Sequence, residues 1–205
     1  SGDTAPYAVE REIEDIEALI AEAGGTASVY GHSSGAGLVL LAAAHGLPIE
    51  KVVLHDPPYA PDGDEEARQA AREYGESLKT ILSEGRNGDA VELFFTTVGM
   101  PREMVDGMRD TPRWAELEAM APTLAYDSEV MDDVGRGGTI PVDQAGRVTF
   151  PALVLTGGAD YPWMIGVGRQ LAEAMPKGRH RVLEGHEHVV PPEVLAPVLD
   201  EFFAD

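Results

Sequence analysis

Near the start of the chain, apolar residues recur at the spacing of an α-helix. The stripe consists of Val9, Ile13, Ile16 and Ile20, with glutamates on the opposite face. This period predicts an amphipathic helix over about residues 8–23. Gly24 and Gly25 follow it, and glycine readily adopts the left-handed conformation that ends helices. We therefore expect the helix to stop there.

Four short apolar runs further along the chain predict buried strands, at about residues 27–30, 51–55, 152–156 and 179–183. The segments between them carry helical patterns, at about residues 36–44 and 166–174. Strands that alternate with helices are typical of a parallel sheet with helices on its faces. The sequence therefore predicts an α/β fold.

Strand signals are missing from the middle of the chain. Helical patterns instead cover about residues 65–83, 89–98, 102–109 and 114–124. A stretch with proline and glycine precedes them at residues 57–63, and a glycine-rich stretch follows at residues 135–138. We therefore predict a core of residues 1–61 and 137–205 that is interrupted by a helical insertion of residues 62–136.

The last apolar stripe predicts a terminal amphipathic helix. It consists of Val194, Leu195, Val198, Leu199 and Phe202. Pro197 lies inside the stripe, and proline lacks the backbone N–H that the interior of a helix uses. We therefore expect the regular helix to begin close to Pro197.

Length and charge restrict the class of protein. A chain of 205 residues, 43% of them hydrophobic, can bury one sizeable core. Its formal net charge of −21 would repel nucleic acid and anionic membranes, so we expect neither as a partner. The longest apolar stretch, residues 36–44, is less than half the roughly 20 residues of a membrane-spanning helix.

The sequence shows no leader segment and no cysteine, which restricts the expected compartment and the possible nucleophiles. The first residues show neither a basic nor an apolar leader segment, so we expect a cytoplasmic protein. The chain contains no cysteine, which excludes disulfides, thiolate metal sites and a thiol nucleophile. Any nucleophile is then an oxygen or an amine.

The most informative motif is Gly-His-Ser-Ser-Gly at residues 31–35, between a predicted strand and a predicted helix. A serine on so sharp a turn crowds its neighbours, and glycines two positions before and after it relieve the clash. Ser33 has this pair of glycines, whereas Ser34 has His32 and Ala36 at the corresponding positions. Ser33 is therefore the predicted nucleophile.

A serine hydroxyl is a weak nucleophile at neutral pH. It needs an imidazole to take its proton and a carboxylate to orient that imidazole. Asp160 follows a predicted strand directly, and His188 lies 28 residues later in a loop after the next strand. The order serine, acid, histidine is the one associated with a Gly-x-Ser-x-Gly turn.

Alternatives to the acid and the base stay open. Asp56 follows the strand at residues 51–55 and is a second candidate for the acid. His186 is a second candidate for the base. The pair His186 and His188 could in principle bind a metal, but alternate residues of an extended segment point to opposite sides. No further ligand cluster is apparent in the sequence, so we predict no metal site.

In these motifs the chain resembles the α/β-hydrolase family, and specifically its cap-bearing serine hydrolases. The resemblance is carried by residues 31–35, by the strand and turn at 155–160, and by Gly-His-Glu-His at 185–188. It covers essentially the whole chain. It implies a parallel sheet flanked by helices, with the helical insertion as a cap.

The resemblance also implies a role for each motif residue. Ser33 is the nucleophile, Asp160 the acid, and His188, three residues after a glycine, the base. The backbone N–H of Ser34 donates to the negative charge that develops on the carbonyl oxygen. No metal or organic cofactor is required.

Aromatic residues in the insertion and after the predicted acid favour an apolar substrate. In the insertion, Phe94, Phe95 and Trp114 either form the cap's own core or line an acyl or aryl pocket. Trp163, shortly after the predicted acid, and His32 in the motif are further candidates for substrate contact. The predicted activity is hydrolysis of a small, largely apolar carboxylic ester through an acyl-enzyme.

The chain departs from the family pattern at its start. Family members have several strands before the helix that begins here near residue 8, and one of the connections among them supplies a second oxyanion donor. Without those strands, the sheet edge beside residues 27–30 is uncovered, which invites association. We expect the chain alone to be marginally stable, and either a homo-oligomer or a complementing N-terminal segment to cover this edge.

Two other functions remain open on the same fold. One is a catalytically silent module that binds an apolar ligand or a partner under its cap. The other is a non-hydrolytic biosynthetic enzyme, because a fold does not choose among related reactions.

Overall fold

The computed structural model describes residues 6–204. These residues form two compact units, one with the described residues up to Gly63 and from Thr139 onward, the other with Asp64–Gly138. We call the first the sheet unit and the second the helical unit. Both limits of the helical unit lie two residues C-terminal to the predicted limits of the insertion.

A parallel sheet of four strands forms the centre of the sheet unit. The strands are β1 (Ala27–His32), β2 (Ile49–His55), β3 (Ala152–Gly157) and β4 (Gly178–Leu183). They lie side by side in chain order, and each neighbouring pair is parallel. The predicted α/β fold with a parallel sheet is confirmed, and each expected strand extends one or two residues beyond its predicted length.

Helices connect the strands and make up the helical unit. In chain order they are α1 (Val9–Glu22), α2 (Ser34–His45), α3 (Glu65–Ser83), α4 (Asn87–Thr97), α5 (Arg102–Arg109), α6 (Pro112–Met120), α7 (Leu124–Met131), α8 (Asp133–Arg136), α9 (Val142–Ala145), α10 (Pro162–Ala174) and α11 (Pro192–Ala204). The sequence does not predict α7, α8 and α9, which are eight, four and four residues long and show no clear apolar period. None of the helices in residues 6–204 is both long and apolar enough to cross a bilayer.

Burial differs sharply between the inner and outer strands. All six residues of β3 are buried, as expected for a central parallel strand with helices on both faces. In β1, by contrast, Gly31 is the one buried residue. β1 lies at one edge of the described sheet, where β2 is its neighbour. The carboxyl ends of all four strands meet at one side of the sheet, which is where ligands bind in folds of this kind.

The helical unit has a hydrophobic core of its own. Its buried members are Leu78, Ala90, Val91, Val105, Trp114 and Ala121. The unit's first helix, α3, begins at Glu65 and is capped by the preceding Asp64, whose carboxylate accepts a hydrogen bond from the N–H of Ala67 at 2.9 Å. This cap satisfies one of the backbone donors that a helix start leaves free.

The terminal helix contradicts one expectation. α11 begins at Pro192, five residues before Pro197, and Pro197 lies inside it. The helix tolerates the missing N–H because its apolar face is anchored elsewhere: Val198 and Phe202 are buried against β2 and β3. The prediction that the helix begins close to Pro197 is therefore wrong, and packing outweighs the lost hydrogen bond.

Candidate active site

Ser33 occupies a strained turn between β1 and α2. Its φ of 57° and ψ of −132° lie in a region that residues with a side chain rarely adopt. Its N–H donates to the carbonyl of His55 at 2.9 Å, which ties the turn to the end of β2. Such strain persists only where the surroundings enforce it, and it concentrates at functional sites.

The two glycines of the motif have unequal roles. A Cβ on Gly31 would lie 2.4 Å from the carbonyl oxygen of Gly35 and 2.8 Å from the Cα of Ala36. A Cβ on Gly35 would meet no atom within 4 Å. The expected relief of a clash therefore holds for Gly31, whereas Gly35 contributes the backbone that approaches it.

His188 lies in the loop between β4 and α11, beside this turn. Nε2 of His32 donates to the backbone carbonyl of His188 at 2.9 Å, and the centroids of the two rings are 4.5 Å apart. Burial is the main cause that lowers the pKa of His32 below its usual value, so its ring is neutral at pH 7. The side chain of His188 is about one-third exposed, at 35%. One hydrogen bond thus connects the residue before Ser33 to the predicted base.

Both carboxylates that the sequence offers approach the same nitrogen of His188. Oδ2 of Asp56 lies 3.6 Å from Nδ1, and Oδ2 of Asp160 lies 3.9 Å from it. Within the described residues, Nδ1 of His188 and Oδ2 of Asp160 have no hydrogen-bond partner. A shift of less than 1 Å would bring either carboxylate within hydrogen-bonding distance. Catalytic hydrogen bonds are often this long before substrate binds.

The two carboxylates are held differently. Asp160 precedes α10, and its Oδ1 accepts a hydrogen bond from the N–H of Tyr161 at 2.8 Å. Asp56 is fully buried, and its two oxygens accept from the N–H of Gly157 at 3.1 and 3.3 Å. Its φ of 46° is again left-handed. The sequence favours Asp160 as the acid, whereas the structure brings both carboxylates close to His188.

Asp56 is ionised despite its burial. Burial by itself raises the pKa of the carboxyl group, but interactions with His188, His55 and the N–H of Gly157 outweigh that effect. Together they lower the pKa of Asp56 to about 2. The site therefore contains a fixed negative charge beneath the imidazole of His188.

Two further residues that sequence reasoning did not assign to the site lie behind Asp56. His55 is buried, with Nε2 3.4 Å from Oδ2 of Asp56 and Nδ1 2.7 Å from the hydroxyl of Tyr30. The pairing register places His55 opposite His32, so the side chain of Tyr30, two positions earlier, shares their face of the sheet. That alternation is the sequence signal that could have found them.

Two carboxylates and one imidazole of the site also lie close enough together to hold a cation. Asp56, Asp160 and His188 each offer a ligand atom within 4.8 Å of the others, and they are the one such group among residues 6–204. The pair considered from sequence does not form, because His186 is not part of this group. Both carboxylates face Nδ1 of His188. Attraction between a carboxylate and an imidazole is sufficient to explain why these side chains lie together.

The predicted substrate-contacting aromatic residues divide into two sets. Trp163 is 41% exposed at the start of α10, and its ring stacks on Tyr161 with 6.2 Å between centroids. Trp114 is 5% exposed within the core of the helical unit, and its Nε1 donates to Glu118 at 3.0 Å. Trp114 is therefore a packing residue, which corrects its assignment as a substrate contact.

The remaining candidates lie between these extremes. Phe95 packs against the core of the helical unit, and the half-buried Phe94 lies 5.5 Å from it, centroid to centroid. The nitrogen of His32 that faces the site is already bonded to the carbonyl of His188. We therefore interpret His32 as a support for the loop of His188 rather than as a contact for substrate.

Comparison with known proteins places this geometry in a family. The profile of a family described as "Alpha/beta hydrolase family" matches residues 1–199. An alpha/beta hydrolase from Sphaerobacter thermophilus DSM 20745 is 46% identical, with a TM-score of 0.82 over 98% of this chain and 77% of that one. No curated protein matches the chain.

More distant structures share the fold. A hydrolase from Pseudomonas aeruginosa PA01 is 22% identical, with a TM-score of 0.66 over 100% of this chain and 75% of that one. The 2-hydroxy-6-oxo-6-phenylhexa-2,4-dienoate hydrolase of Rhodococcus sp. strain RHA1 is 18% identical, with a TM-score of 0.60 over the same shares. At these identities the likeness concerns the fold alone.

Proposed function

This chain belongs to the alpha/beta hydrolase family, and we propose that it is a serine hydrolase that cleaves a small, largely apolar carboxylic ester. The observation that carries the proposal is the hydrogen bond between His32 and the carbonyl of His188. It joins the strained turn of Ser33 to an imidazole whose Nδ1 faces ionisable carboxylates. A serine nucleophile needs an imidazole beside it that a carboxylate orients, and the placement of His188 supports that role.

In the first half of the reaction, the ester acylates Ser33. Oγ attacks the carbonyl carbon while Nε2 of His188 takes the hydroxyl proton. The tetrahedral intermediate carries its negative charge on the former carbonyl oxygen, near the start of α2. There the backbone N–H of Ser34 and the positive end of the helix dipole stabilise it. The intermediate collapses, and His188 returns the proton to the departing alcohol.

In the second half, water releases the acid. His188 takes a proton from the water molecule as its oxygen attacks the acyl carbon, and then protonates Oγ of Ser33 as the acyl bond breaks. Asp160 orients the imidazole through Nδ1 and stabilises its transient positive charge. Each step conserves protons, and neither a metal nor an organic cofactor takes part.

An exposed aromatic surface beside the acid supports an apolar substrate. Tyr161 and Trp163 stack immediately after Asp160, and they are 55% and 41% exposed. Val189, directly after the base, is 78% exposed. Apolar side chains left in contact with water next to reactive groups are typical of a surface that a ligand covers.

Labelling by a fluorophosphonate, followed by peptide mapping, tests this function. We expect a covalent label on Ser33 in the wild type and no label in Ser33→Ala or His188→Ala. Ser34→Ala is the matched control, because it keeps the backbone N–H and should be labelled at a rate close to the wild type. A label on Ser34, or one that survives His188→Ala, would contradict the assignment.

A panel of p-nitrophenyl esters tests the substrate class. We expect Ser33-dependent turnover of acetate and butyrate esters that exceeds turnover of a charged succinate ester. The opposite order would contradict the apolar preference. Failure of every labelling reaction, together with binding of an apolar ligand that Ser33→Ala does not weaken, would instead favour a silent binding module.

A further inference from the structure

His188 faces a second carboxylate that the catalytic scheme above does not use. Asp56 Oδ2 is closer to Nδ1 than Asp160 Oδ2 is, at 3.6 against 3.9 Å. Asp56 is also the more deeply buried, since its side chain is 0% exposed and that of Asp160 is 9% exposed. In a water-excluded environment a charge at a given distance interacts more strongly.

The position of Asp56 is fixed from three sides. Its backbone N–H donates to Leu155 at 2.9 Å, and its carboxylate receives the N–H of Gly157. On the third side, Nε2 of His55 lies 3.4 Å from Oδ2. A left-handed φ at a residue with a side chain is maintained only when such contacts enforce it.

Two neighbours of His55 favour one of its two neutral tautomers. Nε2 lies 3.4 Å from Asp56 Oδ2 without forming a hydrogen bond, and since a carboxylate can only accept, the tautomer that suits Asp56 carries its proton on Nε2. In that neutral tautomer Nδ1 of His55 carries no proton and accepts the hydrogen bond from the hydroxyl of Tyr30, 2.7 Å away. Tyr30 thereby selects the tautomer of His55 that presents an N–H to Asp56.

We propose that His188 works between two carboxylates, and that Tyr30 and His55 are positioning residues that hold the inner one, Asp56, against Nδ1. This proposal rests on the proposed function. Asp56 then shares with Asp160 the task of keeping the imidazole in the tautomer that accepts a proton at Nε2. The backbone carbonyl of His55 also accepts the N–H of Ser33, whereas the hydroxyl of Tyr30 acts through the ring of His55 and Asp56.

This order of action makes a specific prediction for a double-mutant cycle. Tyr30→Phe keeps the ring and removes the hydroxyl, which should lower kcat about three- to tenfold and leave KM nearly unchanged. In the background of Asp56→Asn, the same substitution should have almost no further effect, because the residue that Tyr30 positions is already lost. Asp56→Asn alone should lower kcat about ten- to a hundredfold.

The experiment measures kcat and KM on the full chain, per mole of Ser33 that a fluorophosphonate labels, for the wild type, both single variants and the double variant. Thr156→Val is the matched control, because it removes another side-chain hydroxyl that shares a hydrogen bond with an imidazole, that of His180, at 2.9 Å. We expect this control to keep the wild-type kcat. Counting active sites separates a loss of catalysis from a loss of folded protein.

The outcomes distinguish the role of Tyr30 and His55 from the serine mechanism itself. A Tyr30→Phe effect that disappears in the Asp56→Asn background supports the proposal. An equal loss in both backgrounds, or no loss in either, overturns it and leaves the serine mechanism intact. If Asp56→Asn does not fold, Tyr30→Phe with an unchanged kcat still overturns the proposal. Ester hydrolysis that is undiminished in Ser33→Ala overturns the proposed function and this inference with it.

Discussion

Replacing Gly31 by alanine isolates the close backbone approach that shapes the turn of Ser33. The added methyl carbon would lie 2.4 Å from the carbonyl oxygen of Gly35 and 2.8 Å from the Cα of Ala36. Non-bonded heavy atoms normally stay about 3.5 Å apart. The strand and the start of α2 must therefore separate by about 1 Å. Since both obstacles are backbone atoms, no rotamer change can relieve the overlap.

The size of the effect follows from these distances. Overpacking a tight site costs about 1–3 kcal/mol, and a clash with backbone belongs at the upper end of that range. For a chain of this size, 1 kcal/mol moves Tm by roughly 2–4 °C, so Gly31→Ala should lower Tm by about 6–12 °C. The rate of Ser33 labelling should fall as well, because the hydroxyl moves with the turn.

Gly35→Ala is the matched control. Its Cβ would meet no atom within 4 Å, and Gly35 is the second residue of α2. Alanine is the better helix former by up to about 1 kcal/mol, so Tm should stay level or rise by at most about 4 °C. Thermal unfolding by circular dichroism measures both variants. Equal Tm values for the two alanine variants would show that the backbone approach at Gly31 does not constrain the turn.

Three further perturbations test other parts of the structure. Burial, reinforced by the charge of Asp132, raises the pKa of Asp133 to about 6. The free energy of unfolding should therefore increase as pH falls from about 6 towards 4, because over that range the folded carboxyl takes up a proton while the unfolded one is still ionised. Urea titrations measure this increase, which Asp133→Asn should abolish. Pro197→Ala restores a backbone donor inside α11 and should raise Tm by a few degrees. Trp163→Ala should raise KM for aryl esters about two- to tenfold with little change in kcat, and an unchanged KM would exclude Trp163 from the binding surface.

The sheet was predictable because its strands carry strong local signals. The apolar runs that become β2 and β3 are bounded by proline or glycine. A parallel strand that is buried on both faces needs only such a continuous apolar run, so its sequence signal is local. α11 shows the limit of local reasoning. Pro197 disfavours a helix by itself, but the decisive interaction is the packing of Phe202 against residues about 50 and 150 positions earlier. No local pattern contains that contact.

The site was predictable in outline and not in detail. The motif around Ser33 and the order of Asp160 and His188 follow from residue types and spacing alone. The approach of Asp56 to His188 depends on strand register and on a left-handed backbone at its own position, which its residue type permits without requiring. Trp114 shows the opposite error, because an aromatic residue in a helix has the same sequence signal whether it faces a core or a ligand.

The most direct test of the central claim is to trap the acyl-enzyme. Turnover of p-nitrophenyl butyrate would be quenched with acid within the first cycles, and the peptide that contains Ser33 would be weighed by mass spectrometry. We expect a butyryl adduct on Ser33 that is absent from Ser33→Ala and does not form within that time in His188→Ala. Rapid ester turnover with no adduct, or with an adduct on another residue, would contradict it.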